Sequence, residues 1–274
     1  MAGAIMKGKL YITATPIGNL SEMTPRAIQT LKDVDLILCE DTSHSKKLMN
    51  YFAIDTPLKS YHKFSEAKSI PEIIQKLQSG QSIALITDAG MPTVSDPGSR
   101  LISACYENDI NVSIISGASA VINAAALSGM CEKGFVFVGF LPEKAKEKQN
   151  ALEMYAYLDV PLIVYCAPHN LQSDLEFLFS FLGSRKVAVI REMTKMYEEI
   201  VFIDLKDYQT LTPKGEYVLV IEGKPKSNPL LELSIEEHLK YYIDNGTEKK
   251  EAIKKVAAER SLNKNEVYQI AIKL

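Results

Sequence analysis

Three short apolar runs in the first 120 residues each empty into a turn of small residues, and that repetition constrains the fold more than any other feature. Leu10-Tyr11-Ile12-Thr13-Ala14 leads into Thr15-Pro16-Ile17-Gly18-Asn19-Leu20. Ile83-Ala84-Leu85-Ile86 leads into residues 87–98, Thr-Asp-Ala-Gly-Met-Pro-Thr-Val-Ser-Asp-Pro-Gly. Val112-Ser113-Ile114-Ile115 leads into Ser116-Gly117-Ala118-Ser119-Ala120. Helix-like segments follow each turn, so the runs predict parallel strands of an open α/β sheet whose carboxyl edge carries one ligand crevice.

The turn at 87–98 is the longest of the three. Gly90 and Gly98 permit positive φ, Pro92 and Pro97 fix the path, and Asp88 and Asp96 are short acceptors able to cap a helix or hold a ligand hydroxyl. No Lys or Arg lies between Thr87 and Gly98, which argues against a phosphate ligand. The same stretch also reads as a plain strand-to-helix connection, and composition alone does not separate the two. Neither G-x-G-x-x-G nor G-x-x-x-x-G-K-[ST] occurs at the right place, which disfavours a dinucleotide oxidoreductase or a P-loop enzyme.

A second set of strands follows Leu127-Ser128-Gly129-Met130-Cys131-Glu132-Lys133-Gly134, a polar, glycine-bearing passage that suggests a domain boundary. Strands are predicted at Phe135–Val138, Leu162–Tyr165, Lys186–Ile190 and Tyr217–Glu222, with amphipathic helices at Lys148–Leu158 and Leu171–Leu182. From Glu248 to Leu274, Lys249, Lys250, Lys254, Lys255, Arg260, Lys264 and Lys273 outnumber four glutamates, while Ala252, Ile253, Val256 and Ala257 recur at helical spacing. This predicts a small helical hairpin with a basic outer face, which is either an RNA contact or an ordinary solvated surface.

The chain has 274 residues, 46% hydrophobic, enough to bury a substantial core. Its four cysteines lack C-x-x-C spacing, so zinc and disulfides are both disfavoured. No apolar run reaches the roughly 18 residues of a membrane helix and the N-terminus lacks a signal-peptide core, so a cytoplasmic protein is expected. With a net charge of −3, any RNA contact must be local or shape-dependent.

Six motifs taken in order carry a resemblance over nearly the whole chain. They are Thr15-Pro16-Ile17-Gly18-Asn19-Leu20, Glu40-Asp41-Thr42, Asp88-Ala89-Gly90-x-Pro92 with Asp96-Pro97-Gly98, Gly139-Phe140-Leu141-Pro142, Arg191-Glu192-Met193-Thr194-Lys195 and Lys214-Gly215-Glu216. In this order they resemble the tetrapyrrole methylase superfamily, and within it the RsmI-type 16S ribosomal RNA (cytidine-2'-O)-methyltransferases. The chain departs from that pattern at Ser43, where an arginine is expected, at the proline-free turn 116–120, and at Cys166 and Asn170, which replace a glutamate and an arginine.

The resemblance implies an α/β fold of the class III methyltransferase type, with domains at 1–128 and 129–228 and a helical basic tail at 229–274. It implies S-adenosylmethionine as cofactor in the cleft, with contacts at Pro16, Ile17, Gly90, Met91, Val94, Ser119, Ala120, Cys166, Glu192, Met193 and Tyr217, most of them through backbone. No metal ligand is assigned: Asp41, Asp88 and Asp96 near the same edge suit either a divalent ion or loop capping. It further implies a cytidine ribose of 16S rRNA in the small ribosomal subunit as substrate, and a homodimer. Asp41, at the end of the apolar strand Leu36–Cys39, is a candidate to position or deprotonate the target hydroxyl; a cap for the helix at 43–51 is its structural alternative. Lys195 is a candidate to hold a phosphate or a developing alkoxide. Two other readings stay open: methylation of a small molecule such as a corrinoid, and a noncatalytic S-adenosylmethionine-binding RNA factor.

Overall fold

The computed structural model describes residues 7–63, 65–224, 229–260 and 262–272. The chain divides into two compact units at Lys224.

In the first unit, five strands form a parallel sheet in the order β3-β2-β4-β1-β5. These are β1 (Lys9–Thr13), β2 (Leu36–Cys39), β3 (Leu58–Ser60), β4 (Ile83–Leu85) and β5 (Asn111–Ile115). Between them run α1 (Pro25–Asp33), α2 (Thr42–Tyr51), α3 (Glu66–Gln78) and α4 (Ser99–Glu107), and α5 (Ala120–Ser128) follows β5. Alternation sorts the strand side chains onto two buried faces. Leu10, Ile12, Leu38, Ile83 and Leu85 pack with α3 and α4, whereas Ile37, Cys39 and Ala84 pack with α1 and α2. Each buried leucine or isoleucine of this kind contributes roughly 1.5–3 kcal/mol.

Helix starts follow their sequence signals. The Thr24 hydroxyl accepts from the Ala27 amide at 3.1 Å ahead of Pro25, which supplies a pre-set φ where no amide hydrogen is needed. The turn after β1 forms one 3-10 turn at Leu20–Glu22 before α1 begins at Pro25.

The second sheet has the order β6-β7-β10-β8-β9. It comprises β6 (Val136–Phe140), β7 (Leu162–Cys166), β8 (Lys186–Arg191), β9 (Glu199–Asp204) and β10 (Tyr217–Ile221), with α6 (Ala145–Leu152) and α7 (Leu171–Leu182) on one face. β6 and β7 run parallel, while β10 is antiparallel to both β7 and β8. The helix predicted at 148–158 starts earlier and stops at Leu152.

α5 joins the two sheets. It leaves the first sheet, yet Val121, Ala124 and Ala125 pack on Ile163, Ala188, Ile190, Val218 and Val220 of the second. The alanines allow backbone to approach sheet closely, so the entry of α5 is fixed between the two sheets.

The second unit contains α8 (Ile235–Asp244), α9 (Lys249–Glu259) and α10 (Lys264–Ala271) around a core of its own that includes Leu239, Ala252, Val256 and Val267. α8 opens with a capping box in which Ser234 and Glu237 satisfy each other's amides. The expected hairpin thus gains a third helix. Lys249, Lys250, Lys254, Lys255 and Lys264 are exposed; Lys273 lies outside the described residues. Arg260 departs from the predicted basic face, because its guanidinium donates to the Leu230 carbonyl at 2.8 Å and to His238 Nδ1 at 3.0 Å. No described helix is long and apolar enough to cross a membrane.

Candidate active site

The loops after β1 and β4 are stapled to each other. Thr15 and Gly90 exchange backbone hydrogen bonds of 2.9 and 3.1 Å, and the Thr15 hydroxyl donates to the Thr87 carbonyl at 3.0 Å. Gly90 has φ +86°, and a Cβ there would stand 3.1 Å from Ile17 Cγ2, so glycine is required by both conformation and space.

The 87–98 loop is held in an unusual path, with Thr93 and Ser95 at φ +73° and +74°. Two contacts keep it there. At its far end the Gly98 amide donates to the buried carboxylate of Glu66, which also accepts from the Tyr61 hydroxyl, each at 3.0 Å. On the other side Ser95 lies against Gly139 of β6, where an added Cβ would meet Ser95 Oγ at 2.8 Å.

The second sheet presents a matching edge. Register places Tyr217, at the start of β10, directly between Cys166 of β7 and Arg191 of β8. Beyond β8 the chain turns through Glu192 and Thr194, both at positive φ.

These edges enclose a cavity of about 360 Å³, within the range of small-molecule sites. From the first sheet's loops Ile17, Gly90, Met91, Val94, Ser119 and Ala120 line it; from the second, Cys166, Met193 and Tyr217 do. Pro16 and Glu192 do not line it; each precedes a lining residue, Ile17 and Met193, in the chain. Its wall also carries four carboxylates, Glu40, Asp88, Asp96 and Glu216, and no lysine, arginine or histidine among the described residues. Phe140 and Tyr165 close one side as an edge-to-face pair with centroids 5.3 Å apart.

Burial pushes the Asp96 carboxyl up to about 6; the Thr87 hydroxyl opposes the rise, and the neighbouring charges of Glu40 and Asp88 add to it. The buried Asp88 Oδ1 has no hydrogen-bond partner among the described residues. Burial also raises Tyr165, to about 12, and the Cys166 thiol, which donates to Asp174 Oδ2 at 3.4 Å. Asp174 in turn holds Lys148 at 2.6 Å in a buried ion pair behind the cavity wall.

The two candidate catalytic residues lie beside the cavity and do not line it. The Asp41 carboxylate caps α2, accepting from the Ser43 and His44 amides at 2.7 and 3.2 Å. Those two amides, His44 first, hold its carboxyl below the usual aspartate value. The cap that was its structural alternative is formed, and the adjacent Glu40 lines the cavity. Lys195 bridges Glu192 at 3.0 Å and Glu216 at 2.8 Å. Burial acts against its charge, but those carboxylates outweigh it and raise the ammonium above its ordinary value.

Sequence reasoning did not single out Glu40, Phe140, Tyr165 or Glu216 as wall residues, although each except Tyr165 sits within one of the six motifs. Tyr165 is legible only as the penultimate residue of an apolar strand.

A family model described as Tetrapyrrole (Corrin/Porphyrin) Methylases matches residues 9–209. A protein of Halalkalibacterium halodurans named Ribosomal RNA small subunit methyltransferase I is 41% identical over 273 residues, covering 96% of this chain and 94% of that one. The protein of the same name from Synechocystis sp. is 42% identical over 274 residues, covering 97% and 98%. Among solved structures, a diphthine synthase aligns with a TM-score of 0.64 at 12% identity, covering 78% of this chain and 89% of that one. A Thermus thermophilus uroporphyrin-III C-methyltransferase complexed with S-adenosyl homocysteine aligns at 0.53 and 15%, covering 77% and 97%. These two likenesses show the fold. With a family match running from β1 through β9 and relatives aligned end to end, the chain belongs to the tetrapyrrole methylase family.

Proposed function

We propose that this chain transfers the methyl group of S-adenosylmethionine to the 2'-hydroxyl of a cytidine ribose in small-subunit ribosomal RNA. The observation that carries the cofactor is the charge of the cavity. S-adenosylmethionine bears a sulfonium and an ammonium against one carboxylate, so four acidic side chains and no basic one suit it; the same wall would repel a nucleotide phosphate. Asp88 Oδ1, buried and unpartnered among the described residues, supplies an acceptor for a ribose hydroxyl. Ile17, Met91 and Val94 supply apolar surface for adenine, and Gly90, Ser119, Ala120, Cys166, Met193 and Tyr217 complete the pocket.

When bound, the cofactor supplies an electrophilic methyl carbon on a good leaving group. The chain's contribution is then chiefly position, a term that can supply roughly 7–11 kcal/mol. The Thr15–Gly90 bridge and the Glu66–Gly98 bond hold the 87–98 loop rigid, so its wall residues are already in place before any ligand arrives. In this reading Pro16 and Glu192 support the wall residues that follow them. Asp41 fixes the start of α2 next to Glu40, and Lys195 holds Glu216 against the cavity.

The substrate follows from the relatives, whose name specifies small-subunit ribosomal RNA. An acidic protein gains most from recognising an assembled small subunit, with the exposed lysines of the second unit as contacts. A cytoplasmic homodimer completes the reading. Ile114 on the edge strand β5, with Ile122 and Leu127 on α5, is supporting apolar surface, each about half exposed.

The test is transfer of labelled methyl from S-adenosylmethionine to small subunits lacking ribose methylation, with naked RNA in parallel, followed by mapping. Label on a single cytidine ribose is the expected result. Binding of the cofactor without label in either RNA would overturn the reading.

A further inference from the structure

We infer that Asp96 is the catalytic base, the group that takes the proton from the ribose hydroxyl as that oxygen attacks. The inference rests on the methyltransferase reading above. In the step it serves, the hydroxyl oxygen forms its bond to the methyl carbon while the carbon–sulfur bond breaks with its electron pair going to sulfur. The hydroxyl proton passes to an Asp96 carboxylate oxygen, and from there to water.

Four side chains on the described wall can accept a proton, and their surroundings differ. Glu216 is held by Lys195 at 2.8 Å, so its charge is already engaged. Glu40 is exposed and keeps its hydration. Asp88 has one oxygen buried without a partner, which suits a standing bond to a bound ligand better than a proton that must leave. Asp96 is partly buried and has the Thr87 hydroxyl as its donor.

Its placement is fixed from both sheets. Ser95, one residue before it, packs on Gly139 of β6, and Gly98, two residues after it, is tied to Glu66. The charged and titratable groups that face it are Glu40 just after β2, Asp88 from its own loop and Tyr165 from β7. None is a cation, so among the described residues no side chain that faces Asp96 neutralises it in the ligand-free protein. A carboxyl raised to about 6 is still largely ionised near neutral pH and is more basic than an ordinary aspartate. General bases work best with such a match to the operating pH.

The test compares the wild-type protein with Asp96→Asn and Asp96→Glu, on whichever RNA substrate the wild type labels. Asp96→Asn is expected to lower kcat by about 100-fold or more. Binding of S-adenosylhomocysteine by calorimetry should change by less than about threefold, and Asp96→Glu should restore part of the rate. The wild-type kcat/KM for S-adenosylmethionine, which reports the ligand-free enzyme, should fall on the acid side of about pH 6, and that limb should vanish in Asp96→Asn. A kcat within about threefold of wild type overturns the inference. So does a loss confined to cofactor affinity, which would make Asp96 a cofactor-holding group. If Asp96→Asn fails to fold, the wild-type profile decides alone, and a kcat/KM flat between pH 5 and 7 overturns it. Wild-type protein that binds cofactor and labels no RNA fails one step earlier: it sinks the methyltransferase reading, and the base with it.

Discussion

Glu66 Oε1 lies 3.0 Å from the amide of Gly98, so a helix on one face of the first sheet holds the end of the loop that forms the cavity wall. The same oxygen accepts from Tyr61. Glu66→Ala would leave two buried donors unpaired, a loss on the order of 3 kcal/mol in urea unfolding. It should also lower kcat by roughly 10²-fold, because a displacement near 1 Å at Asp96 suffices for that. Glu66→Gln keeps an acceptor and should cost only about 1 kcal/mol. Unchanged kcat in Glu66→Ala would show that the loop keeps its path without this bond.

Two glycine substitutions separate backbone strain from site geometry. Gly90→Ala and Gly129→Ala both force an alanine to positive φ, about 1–2 kcal/mol each. At Gly129 nothing stands within 4 Å of the new methyl, whereas at Gly90 it presses on Ile17. Calorimetry with S-adenosylhomocysteine should therefore find affinity down about tenfold or more for Gly90→Ala and unchanged for Gly129→Ala.

The cluster of Glu192, Lys195 and Glu216 sets a pH window. The Glu216 amide, with Lys195, holds the Glu192 carboxyl below its ordinary 4.5. A lowered carboxyl stabilises the fold above the unfolded value and loses that contribution as pH falls through the folded one. Lys195 is raised above 10.5, so its part is full below 10.5 and is lost as pH rises from there through the raised value. Glu192→Gln should be destabilised by about 1 kcal/mol at pH 7, and the difference from wild type should shrink toward zero as pH falls below 4.5. Denaturant midpoints from pH 3 to 9 would check this.

Lys249, Lys250 and Lys264 of the second unit are exposed. If they meet RNA phosphates, replacing all three by alanine should weaken RNA binding and flatten its dependence on log salt by about one unit for each phosphate no longer neutralised. Cofactor affinity should not change. An unaltered salt slope would assign these lysines to plain solvation.

Much of this architecture is written in the sequence, and its gaps have physical causes. Leu36–Cys39 and Leu171–Leu182 are read to the residue, because buried strands and amphipathic helices carry strong periodicity. β3 has three residues, too few for a pattern, and α3 contains Pro71, which reads as a break. β9 escaped prediction although Ile200-Val201-Phe202-Ile203 is as unbroken an apolar run as Val187–Ile190 of β8; it lies at a sheet edge, where Ile200 and Phe202 are exposed. The three turns correctly announced the crevice. Which neighbour faces it was illegible at Glu40 and Asp41, since the residue that becomes the helix cap turns its carboxylate away from the wall.

The acidity of the cavity wall bears on turnover as well as on capture. Glu40, Asp88, Asp96 and Glu216 attract a sulfonium, but transfer of its methyl leaves a neutral thioether carrying one positive charge fewer. The same carboxylates therefore grip the spent molecule less firmly than the fresh one. With no cation on the wall among the described residues, the reaction itself loosens its product.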